Sequence, residues 1–432
     1  MKNLKRASLM LAWTVIVSAG CTEKKTESPA TEDEDLGQRI FNDQNLSANR
    51  DLSCATCHSR AVGGTGPNSD LNLHGAVYQG SVSGRFGNRK PPSSSYATLS
   101  PCFDYSADLG VFFGGNFWDG RATGWNLGSP AAEQAQGPFL NPVEQAVPDS
   151  TELVSRVCGS DYGDLFRQVH GASACQNAEQ GYAALALSIA AFEGSKEMNP
   201  FSSKYDLSLA GKATLEPLEQ QGLALFNDRG KCAGCHVDDA AAASAFTDFT
   251  FDNLGIPPNP ENPFYGMDKI LVDGQAVNPL GSNWVDPGLG GFLATLVQDS
   301  AWRALPHVTA ALHDMPDATI TSLVQDNQGK HRVPTLRNVD LRPTADFVKA
   351  YGHNGFFKSL KGIVHFYNTR DTLPPCADSV TETEALASGC WPAPEVAETV
   401  NHTELGNLQL TSDEEDAIVA FLGTLSDGWV AQ

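Results

Sequence analysis

Basic side chains are scarce in this chain: Lys and Arg number 29 against 51 Asp and Glu, a formal net charge of −22. That deficit excludes a surface built to follow a nucleic-acid backbone or an anionic membrane. It suits solubility or a basic partner. Strand-period alternation of apolar and polar residues is also rare, so the fold class expected is mainly α. Beyond the first 20 residues no apolar run reaches the length of a bilayer-spanning helix.

The N-terminus carries Lys2, Lys5 and Arg6, then an apolar run from Leu9 to Val17, then Ser18, Ala19 and Gly20 before Cys21. Basic start, apolar centre and small residues are the pattern of an export signal, here residues 1–20. Cys21 stands where a bacterial lipoprotein carries its lipidated first residue. Residues 21–35 are polar and charged without apolar period and read as a flexible tether. The expectation is a periplasmic protein, lipid-anchored to a bacterial membrane.

Two pentads dominate the rest of the chain. Cys54, Ala55, Thr56, Cys57 and His58 spell C-x-x-C-H, and Cys232, Ala233, Gly234, Cys235 and His236 repeat it. This is the signal for covalent attachment of a c-type haem. On one helical turn the two thiols and the imidazole share a face, so the thiols can form thioethers while the imidazole ligates iron. The competing chemistry, two zinc half-sites pooled into one tetrathiolate, leaves the repeated His without a purpose. Two covalently bound haem c groups are therefore expected, with His58 and His236 as iron ligands.

Two pentads imply two cytochrome c-like haem domains in tandem with loop-rich insertions, assigned to residues 36–200 and 201–432. Phe-Asn-Asp precedes each pentad (Phe41 to Asp43, Phe226 to Asp228), a weak internal repeat. Apolar period predicts helices at Glu152–Val157, Gln180–Phe192, Leu293–Leu305, Thr309–Met315 and Leu360–Tyr367. A last one starts at a cap on Ser412 or Asp413. Residues 256–330 read as a loop-rich insertion. Five cysteines remain for an oxidising compartment. Proximity in sequence pairs Cys158 with Cys175 and Cys376 with Cys390, leaving Cys102 free.

The segments FWDGRA (Phe117 to Ala122), EQAQGPFLNPVEQ (Glu133 to Gln145), VPTLRNV (Val333 to Val339) and HNGFFKSLKGIVHFYN (His353 to Asn368) resemble the bacterial di-haem cytochrome c peroxidase and MauG superfamily, in the family's order. The resemblance implies H₂O₂ chemistry at the N-terminal haem and electron withdrawal through the C-terminal one. It makes Glu144 the distal acid, Gln134 the distal amide and Trp118 the residue between the haems. A carboxyl can take a proton from one peroxide oxygen and return one to the other, whereas an amide can only orient. Arg121 is expected to pair with a haem propionate or a carboxylate.

Tyr367 stands where the peroxidases carry a methionine on the second haem and MauG-like members a tyrosine. Leu360, Ile363, Val364 and Tyr367 share one helix face, so the ring points inward. A phenolate favours ferric and higher states where a thioether favours ferrous iron. Met267 and Met315 are rival ligands. Asn88, with the carbonyls of Val348 and Ala350, resembles the family's structural Ca²⁺ site. His74 follows His58 at a plausible distance for a removable distal ligand, but the expected position before FGNRKPP lacks a His, which leaves a loop residue. The implied activity is that of a MauG-like di-haem peroxidase acting on a protein or small-molecule electron donor. The alternatives are an ordinary cytochrome c peroxidase fed by a small, basic c-type cytochrome, and a di-haem electron carrier without peroxide chemistry.

Overall fold

A computed structural model describes residues 31–238 and 244–431. The export signal and Cys21 lie outside the described residues. The end of the supposed tether does not, and there the structure corrects the sequence. Residues 32–35 form the first turn of helix Glu32–Asn42. Thr31 Oγ1 accepts the Glu34 N–H at 3.1 Å, and Glu34 returns the bond to the Thr31 N–H at 2.9 Å. Acids crowd this turn because a helix N-terminus favours negative charge, which polar composition alone disguises as a linker.

The fold is mainly α. Among the described residues the sheets are three two-stranded antiparallel pairs, Asp104–Ser106 with Val111–Phe113, Phe251–Asp252 with His331–Arg332, and Leu271–Val272 with Gln275–Ala276. Two helix pairs organise the chain, and they repeat each other. Helix Glu32–Asn42 crosses helix Ala178–Gly194, and helix Pro217–Asn227 crosses helix Ser412–Gly423. In each pair a glycine lies at the crossing and a phenylalanine four residues later meets the partner helix. Gly37 sits on Ser188, with Phe41 against Phe192 at 5.3 Å. Gly222 sits on Ala417, with Phe226 against Phe421 at 5.1 Å. The Phe-Asn-Asp repeat is thus the end of a duplicated helix clasp.

Each clasp closes over its own apolar core, one holding Leu36, Leu153 and Ile189, the other Phe246, Phe357 and Leu425. The chain crosses between them from Met198 in the first core to Tyr205 in the second. Residues 256–330 are not an independent loop. Leu289, Leu293, Trp302 and Ile320 pack with Phe103, Phe112 and Trp125 into a third core. The helix expected over Leu293–Leu305 is Gly288–Gln298 followed by a 3-10 turn at Ser300–Ala304. The break comes at Asp299, whose side chain caps the Ala301 N–H. The last helix is capped by Thr411 in a capping box with Glu414, one residue earlier than expected.

Cys158–Cys175 and Cys376–Cys390 are disulfides as expected. Cys102 is not free, a correction: it too is disulfide-bonded, a pairing that closeness in sequence did not reveal. No helix among the described residues is long and apolar enough to cross a membrane.

Candidate functional site

The first pentad begins on the helical turn Cys54–Cys57, and the second on the 3-10 turn Cys232–Gly234. In both, the histidine N–H reaches back to the first cysteine's carbonyl at 2.9 Å, so the two sulfurs and the ring share one side. His58 Nδ1 donates to Gly64 O at 3.0 Å, and His236 Nδ1 to Phe246 O at 2.9 Å. That orients each ring and leaves Nε2 for a metal. Burial lowers the pKa of His58, and takes His236 to about 4, which keeps both imidazoles neutral and able to ligate.

The pentads line separate cavities. Their four thiols therefore cannot pool around one zinc. Burial pushes the Cys54 and Cys232 thiols up to about 12, as protonated thiols and not thiolates. The cavity beside Cys232 and Cys235 measures about 570 Å³, the one beside Cys54 and Cys57 about 130 Å³. The larger suits a cofactor-sized ligand, whereas seating a porphyrin in the smaller requires its side chains to move apart.

A buried cation borders each cavity without an acid. Among the described residues the Lys90 ammonium donates to the Pro91 carbonyl and meets no carboxylate, and burial drops it to about 8. The Arg332 guanidinium donates to the Phe117 carbonyl at 3.4 Å and, among the described residues, meets no carboxylate; burial lowers it to about 10. Uncompensated buried cations are expensive, so each position is made for an anion. Haem propionates are such anions, and the donor sets fit the cofactor.

Glu144, Gln134 and Arg121 line the smaller cavity, as does Asn88. Burial raises the Glu144 carboxyl, against the opposing pull of Arg121 and a hydrogen bond involving Asn141. Arg121 pairs with Asp119 at 2.7 Å and lies over the Phe117 ring. Trp118 lines both cavities, its indole N–H bonded to the Lys90 carbonyl at 2.8 Å. The long loop between Trp118 and Gln134 is stitched by Glu133, which accepts from the N–H groups of Gly124, Asn126 and Leu127 and from Thr123 Oγ1.

Tyr367, on helix Leu360–Thr369, lines the larger cavity with Cys232, Cys235 and His236, and burial raises its phenol. Met267 and Met315 line neither cavity; Met315 belongs to the third core. His74 is more than half exposed and pairs with Glu261 at 3.0 Å, away from the smaller cavity. The Val348 carbonyl accepts from Asn72 Nδ2 at 3.1 Å and the Asn88 carbonyl from Asn262 Nδ2 at 2.9 Å. Each keeps one lone pair for a further ligand. Ala350 is buried beside Lys349, whose ammonium burial lowers to about 7.

A family model described as di-haem cytochrome c peroxidase matches residues 31–214. The methylamine utilization protein MauG of Paracoccus denitrificans is 32% identical over 397 residues, which cover 91% of this chain and 88% of that one. The chain belongs to the di-haem cytochrome c peroxidase and MauG family. It is also similar to the cytochrome c551 peroxidase of Pseudomonas aeruginosa, 32% identical over 50% of this chain and 53% of the relative. Among solved structures, the diheme peroxidase BthA from Burkholderia thailandensis matches with a TM-score of 0.69 and 27% identity, over 93% of this chain and 87% of that one. The protein is thus an oxidoreductase of the haem peroxidase type, and its family implies two c-type haems, H₂O₂ and an electron donor.

Several residues lining the two cavities escaped the sequence reading: Lys90, Arg332, Arg89, Asp286, His331, His353 and Glu193. Lys90, Arg332 and His353 stand in or beside the motifs that carried the resemblance, so a search for charges inside those blocks could have found them. Asp286 lies in the insertion and Glu193 at the end of an apolar helix, where no local pattern marks them.

Proposed function

We propose that the protein is a MauG-like peroxidase in which H₂O₂ is handled at the cavity of His58 and electrons are withdrawn through the cavity of His236. The bound haems supply the iron redox chemistry. Glu144 acts on the protons of peroxide, taking one from the inner oxygen and delivering one to the leaving oxygen. Burial raises its pKa, which makes it a stronger base toward the first proton while it stays able to return the second. Gln134 orients the substrate by hydrogen bonds, and Arg121 holds the pocket's charge in place through Asp119. Trp118, wall to both cavities, relays the electron deficit between them. Tyr367 would join His236 in holding the second haem, and Lys90 and Arg332 would receive haem propionates.

One observation carries this reading over that of a plain electron carrier. A buried acid, Glu144, and an amide, Gln134, share the cavity of the first pentad, and a carrier needs neither. Tyr367 in the second cavity favours the MauG-like form over the ordinary peroxidase. The passage of the chain from the first core to the second between Met198 and Tyr205 supports two haem domains, residues 36–200 and 201–432. A structural Ca²⁺ at the neutral oxygens of Asn88, Val348 and Ala350 belongs to the same reading. The disulfides fit export to an oxidising compartment, the periplasm.

The test adds stoichiometric H₂O₂ to the diferric protein. A long-lived spectrum two electrons more oxidised, formed without prior reduction, is the expected result. Turnover only after one-electron reduction indicates the ordinary peroxidase, and an unchanged spectrum overturns both.

A further inference from the structure

The cavity of the second pentad contains an arrangement that the proposed chemistry leaves unused. His331 and His353 stack face to face, ring centroids 3.6 Å apart and planes 10° from parallel. His331 Nε2 lies 3.3 Å from Asp286 Oδ2, and His353 Nε2 lies 2.7 Å from Glu395 Oε2. All four residues line the larger cavity. Asp286 comes from the insertion and is gripped at 2.6 Å by both Nε and Nη2 of Arg89, whose Nη1 holds Asp119.

Two imidazoles and a carboxylate suggest a metal site, but the stack forbids it. In-plane lone pairs of parallel rings run side by side, so they cannot converge on an ion about 2.0–2.1 Å from each nitrogen. The charges point to protons instead. Arg89 neutralises Asp286. Glu395 is buried, and among the described residues its ion-pair partner is His353. A buried carboxylate draws positive charge to its partner, which is on the His353 side of the stack. Protons on both rings would place two imidazoliums face to face, a strong repulsion in a low-dielectric wall. Burial and His353 accordingly hold His331 below its ordinary pKa, with Arg89 adding to them and Asp286 pulling the other way. Arg332 and Lys90 add positive charge nearby, and Tyr265 faces Glu395 and Asp286.

The stack is tied to Trp118 on both sides. The N–H of Arg332, next to His331, donates to the Trp118 carbonyl at 2.8 Å. The Lys90 N–H donates to the His353 carbonyl at 2.8 Å, while the Lys90 carbonyl holds the Trp118 indole. Charge that arrives in this cavity therefore arrives beside His331.

We propose that His331 is a redox-linked proton site: it binds one proton from solvent when the haem attached through Cys232 and Cys235 gains one electron, and releases it when that electron leaves. The electron comes from the reductant, the only bond made is the imidazole N–H, and the net charge of the cavity is unchanged. Asp286 is the positioning residue that faces the new imidazolium. The inference rests on a haem being bound in the larger cavity.

The test is a spectroelectrochemical titration of the holoprotein between about pH 5 and about pH 8, where imidazoles titrate. The wave that Tyr367→Phe displaces is the one to read. Protonation accompanies reduction, so the reduction equilibrium is expected to weaken about tenfold per pH unit, about 59 mV for one electron. His331→Phe preserves the stack and should abolish the slope. Asp286→Asn should move it to lower pH. A slope that persists in His331→Phe, or none in the unsubstituted protein, overturns the proposal. Mass analysis of the Cys232–Cys235 peptide separates that outcome from absence of the haem itself, which would sink the site reading as well.

Discussion

Replacing Gly222 by alanine tests whether the repeated helix clasp holds each half of the molecule together. A Cβ at Gly222 would stand 1.9 Å from the Ala417 carbonyl oxygen, 2.6 Å from its carbon and 2.8 Å from Phe421 Cβ. The obstacle is backbone inside a helix, so no rotamer change relieves it. The helices must part by about 1 Å, and a gap of that size forfeits roughly a quarter to a half of each contact's dispersion energy. Overpacking of this kind costs about 1–3 kcal/mol, more when backbone must move. Alanine's helix propensity returns about 1 kcal/mol. Sterics win because the Phe226–Phe421 contact is strained along with the crossing. The net expectation is a loss of about 2 kcal/mol, or about 4–8 °C in Tm for a cooperative unit of half this chain. Thermal unfolding followed by far-UV circular dichroism and by the haem Soret band measures it. Gly37→Ala should do the same to the first clasp, where the Ser188 carbonyl oxygen also stands at 1.9 Å. An alanine variant as stable as the parent would refute the reasoning.

Two further outcomes concern the smaller cavity. Glu144→Gln should lower peroxide turnover by about 10²–10⁴-fold while leaving both haems attached. The acid limb of the pH profile, which burial of Glu144 places above the ordinary carboxylate range, should vanish with it; a limb unchanged in the variant would move the proton chemistry elsewhere. Glu193 is buried, its Oε2 without a hydrogen-bond partner among the described residues, and burial raises it to about 8. Its folded state binds a proton that the unfolded chain has released, so stability should fall as pH rises from the ordinary glutamate range to about 8, by about 1.4 kcal/mol per pH unit. Glu193→Gln should flatten that decline in denaturant titrations, and a variant as pH-sensitive as the parent would assign the effect to another group.

What the sequence determined by itself was local. Cys54, Cys57 and His58 sit within one turn, so their spacing alone brings two sulfurs and a ring to one side, and Tyr367 reaches the second cavity by helical period. Helices Ala178–Gly194 and Ser412–Gly423 declared themselves in the same way, by a pattern that repeats every turn. The tertiary structure decided everything that depends on two distant segments meeting. Arg89 and Asp286 are 197 residues apart, and neither carries a mark of the other. The same holds for the stack of His331 on His353 and for the insertion's packing against Phe103 and Trp125. Spacing along a chain fixes geometry only over a few bonds. Beyond that, which charges become buried together is set by how the helices cross, and here two glycines that look like any others let them cross closely.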